Sequence, residues 1–484
     1  MNLILAFLPL LASVVAIALF RQSALRAGVI GLVLTIAIIL AWSDFQLDLD
    51  ASVLSVSTGL FSTLNISYIL LGGVFLYRVL ERGGALQAIA NSLINTIDDP
   101  VHRLLALVFG LSVFFESATG FGVGIVVVAP LYIALGYKPM QAAVLALLGQ
   151  CAVPWGALSV GTVIGADISN VTEVRLGVLS AAFTLPLCLL FGVVALRTSG
   201  LFTFRSLRML CLYAALLSGS LCLCSAVIGV ELAGCLAGLI VVVAAVCVCS
   251  RSDRKSDKKE STSLSLAVLP FSVLLVALFI TRLVPAIRDS LKEYNVAILG
   301  QDFAPLYHAG FYLLCAAVVG LLVLPQARNK LSVLSSTVLG QWWLATLAIG
   351  GFILFGQLML DSGMTQELSV GIARAASDYY AFAVPVIGAI GGILTASNAA
   401  SNAIFMALQV SVAGQLGLPV DAVAAGQNAS GSNVTLASPG RLVFAASVVG
   451  QPGAESSLLG RVAPVTMAGV ISASLLTALL CRYL

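Results

Sequence analysis

The sequence predicts an all-α polytopic membrane protein of about 12 transmembrane helices plus two re-entrant helical hairpins, arranged as two inverted repeats. Three observations carry this. Of the 484 residues, 60% are hydrophobic and 9% charged, whereas soluble domains carry roughly 25% charged residues. So little charge cannot cover a water-soluble globule of this size. Apolar stretches near the roughly 20 residues needed to cross a bilayer recur along the whole chain, and the longest segment between them, about 285–305, is only loop-sized. Finally, a stretch near the N-terminus reappears, in register, 280 positions later.

The elements follow in order. Residues 1–20 are almost wholly apolar, without a basic start or a small-residue cleavage signal, and read as a first span rather than a removed signal peptide. Further apolar stretches lie at 27–42, 51–80, 103–137, 140–167, 174–196, 209–230 and 232–250. After the polar stretch 251–262 come 263–284, 307–324, 333–360, 380–416, 422–450 and 462–480. Basic residues gather in alternate loops: Arg21 with Arg26, Arg78 with Arg82, and Arg197, Arg205 and Arg208. The strongest group is Arg251, Arg254, Lys255, Lys258 and Lys259, followed by Arg328 and Lys330. The loop between the second and third spans is acidic, with Asp44, Asp48 and Asp50. Placing the basic groups in the cytoplasm puts the N-terminus outside, runs 51–80 inward and runs 333–360 outward.

Those last two segments are alike. Ser52, Val53, Leu54 and Ser55 match Ser332, Val333, Leu334 and Ser335; Phe75 matches Phe355, Gly83 Gly363, Ser117 Ser397 and Pro139 Pro419. Like sequence with opposite orientation is the mark of inverted-repeat secondary transporters, whose sites lie where the repeats meet. The chain therefore divides into an N-terminal two-helix segment (1–50), a first repeat (51–196), connecting helices with a charged cytoplasmic loop at 251–262 (197–330), and a second repeat (331–484).

Each repeat holds two interrupted segments. The stretch 103–137 is too long for one crossing, and its centre carries Glu116, Ser117, Thr119, Gly120, Gly122 and Gly124. It reads as a hairpin that enters and returns on one side, since His102, Arg103 and Lys138 flank both ends. Its counterpart, 380–416, has Thr395, Ser397, Asn398, Ser401 and Asn402 at its centre. The broken helix 140–167 is interrupted at 150–156 by Gln150, Cys151, Pro154, Trp155 and Gly156. The broken helix 422–450 is interrupted at 427–433 by Gln427, Asn428, Ser430, Gly431, Ser432 and Asn433.

Irregular backbone at membrane depth is tolerated only inside protein or along a wet cavity. A half-helix N-terminus there offers free N–H groups and a positive dipole end, and Ser, Thr and Asn add neutral donors. Such a site suits a carboxylate without a buried Lys or Arg, while free carbonyls suit Na⁺. Glu116 is the candidate carrier of a coupling proton, because desolvation penalises a charged carboxylate; the plainer alternative is a structural cap or the partner of an arginine. Ser117, Thr119, Ser397, Asn398, Ser401 and Asn402 are candidates for substrate contact, against the alternative that small polar residues simply pack helices. Gln427, Asn428, Ser430, Gln150 and Trp155 could line the same cavity, and Gly120 would let the backbone approach it. Arg441 stands between a counter-charge for substrate and a side chain that snorkels to the interface.

Other classes are poorly supplied. Ten scattered cysteines without a CxxC, and two histidines, offer no metal site. HExxH and GxSxG are both lacking, so no catalytic residue is assigned. A net charge of +3 gives no nucleic-acid surface, and no repeated filter sequence points to a channel.

The run from Glu116 to Gly122, with Pro130, Gly136, Tyr137, Lys138, Pro139 and the block Pro154, Trp155, Gly156, Ala157 and Leu158, resembles the L-lactate permease family. The later Gly391, Gly392, Thr395, Ser397, Asn398, Ser401, Asn402 and Ala403, and the run from Gln427 to Gly431, fit the same pattern. The resemblance implies proton-coupled symport of L-lactate, glycolate, D-lactate and related 2-hydroxy-monocarboxylates across the bacterial cytoplasmic (inner) membrane. It implies no cofactor, with the proton as coupling ion and Na⁺ as the alternative. The implied partners are a small monocarboxylate and the lipid bilayer, with a homodimer as the candidate assembly. Likeness to the wider ion-transporter superfamily adds an elevator-type movement, by analogy.

Overall fold

The computed structural model describes residues 1–120, 122–249, 263–329 and 331–484. The expected cytoplasmic loop 251–262 lies outside the described residues, as do Phe121, Ser250 and Lys330. The described chain is helical apart from one small antiparallel pair, Val296–Ile298 with Gln301–Phe303, between two spans. Helices suit a lipid-embedded chain, since each backbone group then finds its partner inside its own segment.

The surface is apolar and the interior polar in places, the reverse of a soluble protein. Leu40, Val248 and Met467 are at least 66% exposed, whereas Asn402, Gln427 and Asn428 are fully buried. Lipid, not water, is the solvent these outer side chains match. Among the described residues, ten helices are long and apolar enough to cross a membrane, or eleven counting one bent pair. This is fewer than the twelve or so expected. Two expected spans are the shorter helices Asn2–Ala18 and Ala309–Val323; at 1.5 Å per residue the latter reaches about 23 Å, short of a core of roughly 30 Å.

Two long helices pack against each other. Leu49–Arg82 starts at Asp48, whose side chain accepts from the Ala51 amide. It lies along Leu331–Asp361 over most of its length. Ser55 donates to Asp361, Ser67 meets Thr346 at 3.1 Å, and Arg78 donates to Gln341. Rising numbers on one helix meet falling numbers on the other, so the two run antiparallel. Gly59 and Gly350 permit the close approach: a Cβ at either would fall within 2.9 Å of Leu354 or Thr63.

The interrupted segments pack beside this pair. Pro100–Thr119 is followed by a glycine turn and Val123–Ala134, and Tyr380–Thr395 by a two-residue turn and Asn398–Leu416. Pro139–Leu148 and Val153–Ser169 meet at a 70° bend. The second broken element departs from expectation. Residues 427–433 do not interrupt it: Val420–Asn433 is one helix, and the break follows, at the short turn Thr435–Ala437 before Pro439–Val448. The physical cause is proline. Gln427, Asn428 and Ser430 satisfy their side chains without disturbing the backbone, whereas Pro439 cannot continue a helix and holds Ser438 extended, as a cap.

Candidate functional site

The first hairpin tip is shaped by glycines with positive φ. Gly120 (φ 74°) and Gly122 (φ 78°) turn the chain, and a Cβ on Gly120 would lie 2.7 Å from the Ala157 Cβ. Ala157, Leu158 and Ser159 opposite it are all left-handed, with φ of 50°, 52° and 64°. Each such non-glycine residue costs roughly 1 kcal/mol or more, a strain that collects at functional sites. Two bonds hold the turn: Ser159 Oγ donates to the Val230 carbonyl and Thr162 Oγ1 to the Pro154 carbonyl, both at 2.6 Å.

This geometry brings Glu116, Gln150 and Arg441 together. Glu116 is 3% exposed and the Arg441 side chain 11%. Glu116 Oε1 accepts from Arg441 Nη2 at 3.1 Å and from the Gly122 amide at 3.3 Å. Arg441 Nη1 also donates to Gln150 Oε1. Among the described residues, Glu116 Oε2 and Gln150 Nε2 are buried with no hydrogen-bond partner. Arg441 thus does not snorkel to the interface: it leaves the first turn of Pro439–Val448, which Ser438 caps, and pairs with a carboxylate of the first half. The tip is therefore not built from neutral groups alone.

A second cluster centres on Asn428. Its Oδ1 accepts from Asn398 Nδ2 at 2.8 Å and Asn402 Nδ2 at 2.9 Å. Its Nδ2 donates to Thr162 Oγ1 at 3.0 Å and Ser180 Oγ at 2.9 Å. Asn402 also donates to the Gly161 carbonyl. Gln427 Nε2 reaches Ser401 Oγ, Gln409 Nε2 donates to Gln427 Oε1, and the Tyr380 hydroxyl donates to Gln409 Oε1. Among the described residues the Asn398 Oδ1 atom is left without a partner. The helix Gly156–Ser169 links the clusters, with Gly156 against Glu116 and Gly161 against Asn398.

The candidate residues thus divide. Glu116 and Gln150 join Arg441. Asn398, Ser401, Asn402, Gln427 and Asn428 form the second cluster and spend most of their capacity on one another. Ser117 Oγ has no hydrogen-bond partner among the described residues and packs under Gly234. Thr119 bonds back to the Phe115 carbonyl, Ser397 caps its helix at Ala400, and Ser430 donates to the Pro385 carbonyl. Trp155 is buried, with its indole N–H donating to Ser225 Oγ. Gly120 serves the turn. Thr162, Ser180, Gln409 and Tyr380 were not singled out from the sequence. Gln409 carried a signal, an amide within an apolar run; Thr162 and Ser180 look like any small residue on a membrane helix.

A helical body with an apolar outer face, paired interruptions and a buried ion pair defines a class: a multi-pass membrane protein. The model of the L-lactate permease family matches residues 2–301 and 297–484, and the chain belongs to that family. It is 26% identical over 492 residues to an L-lactate permease of Halalkalibacterium halodurans, covering 94% of this chain and 92% of that protein. It is 24% identical to the glycolate permease GlcA of Escherichia coli, covering 95% and 92%. Among solved structures, Neisseria gonorrhoeae MtrF, titled an antimetabolite efflux pump, matches with a TM-score of 0.54 at 13% identity over 97% of each chain. The Alcanivorax borkumensis YdaH transporter matches with 0.50 at 14% identity over 90% of each. At such identities the likeness is one of fold alone.

Proposed function

We propose that the protein is a secondary active transporter that carries L-lactate and related 2-hydroxy-monocarboxylates, including glycolate and D-lactate, together with protons across the cytoplasmic membrane. The observation that carries this reading is the buried Glu116–Arg441 pair between the two halves, with unpartnered polar atoms on Glu116 and Gln150 beside it. Ionisable groups at membrane depth are costly and mark transport pathways and proton relays. The relatives' names supply the substrate class.

The order of elements supports two repeats, 51–196 and 331–484. Each has a long helix, a shorter one (Ala85–Thr96; Met364–Ala376), a hairpin, a broken helix and a long closing helix (Glu173–Thr198; Glu455–Tyr483). The antiparallel course of Leu49–Arg82 and Leu331–Asp361 supports their inversion. In this reading both hairpins are re-entrant, the two long helices belong to a static unit, and the hairpins and broken helices move as an elevator. No cofactor is required beyond the coupling ion.

The purified protein in liposomes should take up labelled L-lactate when the external pH is lowered, equally in Na⁺ and choline media. Absence of uptake for L-lactate, D-lactate and glycolate would overturn the substrate assignment. Uptake that collapses in choline would replace the proton with Na⁺.

A further inference from the structure

The Glu116–Arg441 contact is incomplete on both sides. A guanidinium is built to grip a carboxylate through two parallel hydrogen bonds. Here Arg441 reaches Glu116 through Nη2 alone and spends Nη1 on Gln150. Glu116 engages one oxygen, and its Oε2 is buried and unbonded among the described residues. Gln150 Nε2, beside them, is also without a partner. The pair is poorly optimised for permanent stability and well suited to exchange.

We propose that Arg441 is the binding residue for the substrate carboxylate, and that Glu116 is its resting partner, displaced and protonated when substrate arrives. This rests on the transport reading above. Charge neutrality imposes the proton. With the pair intact, the two buried groups sum to zero. A monocarboxylate on Arg441 with Glu116 still ionised would leave one uncompensated negative charge in the membrane interior, at a heavy desolvation cost. One proton from the open aqueous side adds to Glu116 Oε2 and restores neutrality; no other bond forms or breaks. On release, the proton leaves Glu116 and the ion pair closes again. The empty and the doubly loaded carrier are then both neutral, and the carrier with anion alone is the disfavoured species.

Among the described residues, the surroundings of Glu116 leave Arg441 as its charged partner. Within its hairpin Glu116 meets the Gly122 amide, and from the broken segment Gly156 packs against it while the uncharged Gln150 bonds Arg441. The helix Val230–Cys249 presents Gly234 to Ser117 and Gly238 to Phe114. Charged residues on the helices packed against this tip sit near helix ends: Arg78 pairs with Glu81 and Glu231 with Arg282, while Asp167, at the far end of Gly156–Ser169, accepts from the Ser62 hydroxyl.

Calorimetric titration of the purified full chain with L-lactate, in two buffers of different ionisation enthalpy, tests the exchange. Wild type should take up about one proton per lactate bound, the count that neutrality demands. Glu116→Gln should bind lactate at least as tightly with no proton uptake, because the competitor has lost its charge. Arg441→Gln should weaken binding on the order of 100-fold, and Arg441→Lys less, since an ammonium keeps the charge but not the fork. The double variant Glu116→Gln with Arg441→Gln removes both charges, and, folded, should also fail to bind. Lactate affinity unchanged in either Arg441→Gln background overturns the assignment alone. So does proton uptake retained in Glu116→Gln. A wild type that binds no short 2-hydroxy acid overturns the transport reading, and this assignment with it.

Discussion

Replacing Asn428 with alanine probes whether the second cluster holds the two halves together. The side chain makes four hydrogen bonds at 2.8–3.0 Å, two to the second hairpin and two to helices of the first half. Truncation leaves partners unevenly provided. Asn402 keeps the Gly161 carbonyl and Thr162 keeps the Pro154 carbonyl. The Asn398 amide, whose Oδ1 already lacks a partner, loses its Nδ2 bond as well. At about 0.6 kcal/mol per interhelical bond in membranes, four bonds amount to roughly 2.4 kcal/mol. A fully orphaned buried amide costs about 1–3 kcal/mol, of similar size. Asn428→Ala should therefore lose about 2–4 kcal/mol in reversible unfolding in mixed detergent micelles, visible also as a lower thermal midpoint. A loss under about 0.5 kcal/mol, the range of surface substitutions, would refute the structural role. Unchanged stability with a raised KM for lactate would make Asn428 a substrate ligand instead.

Three further outcomes follow from the geometry. Gln150→Leu removes the unpartnered Nε2 that lies beside Arg441; if that amide reads the 2-hydroxyl, competition assays should show lactate losing its advantage over propionate by about 10-fold, near one hydrogen bond. Gly120→Ala places a Cβ 2.7 Å from Ala157 at a φ of 74°, and should lower the thermal midpoint and abolish uptake, a cost of about 1–3 kcal/mol before the clash is counted. His308 caps Ala309–Val323 by accepting from the Gly310 amide and stacks on Tyr68. These are structural contacts, so His308→Gln should leave the pH profile of uptake unchanged; an altered profile would bring His308 into the proton path.

Much of the fold was legible because membranes constrain sequence so tightly. Long apolar runs gave the spans, and Gly120, Gly122 and the Ser397 cap fell where the hairpin turns lie. The second break was misplaced because polarity was read as irregular backbone. Gln427 and Asn428 sit within an unbroken helix, and Pro439, not the polar run, ends the regular structure. Glu116 and Gln150 were visible as polar intruders in apolar surroundings. Arg441 was visible too, but not its depth: a partner 325 positions away leaves no local trace. The same holds for Thr162 and Ser180, whose significance lies only in facing Asn428.

Proton-driven accumulation separated from exchange tests the central claim most directly. Glu116→Gln and wild type would be reconstituted side by side, Na⁺ absent, and labelled L-lactate followed under an imposed pH gradient and then in lactate-for-lactate counterflow. Wild type should do both. Glu116→Gln should lose accumulation and keep counterflow, since a permanently neutral side chain leaves Arg441 to the substrate but carries no proton. Accumulation at wild-type levels in Glu116→Gln would contradict proton coupling through this residue.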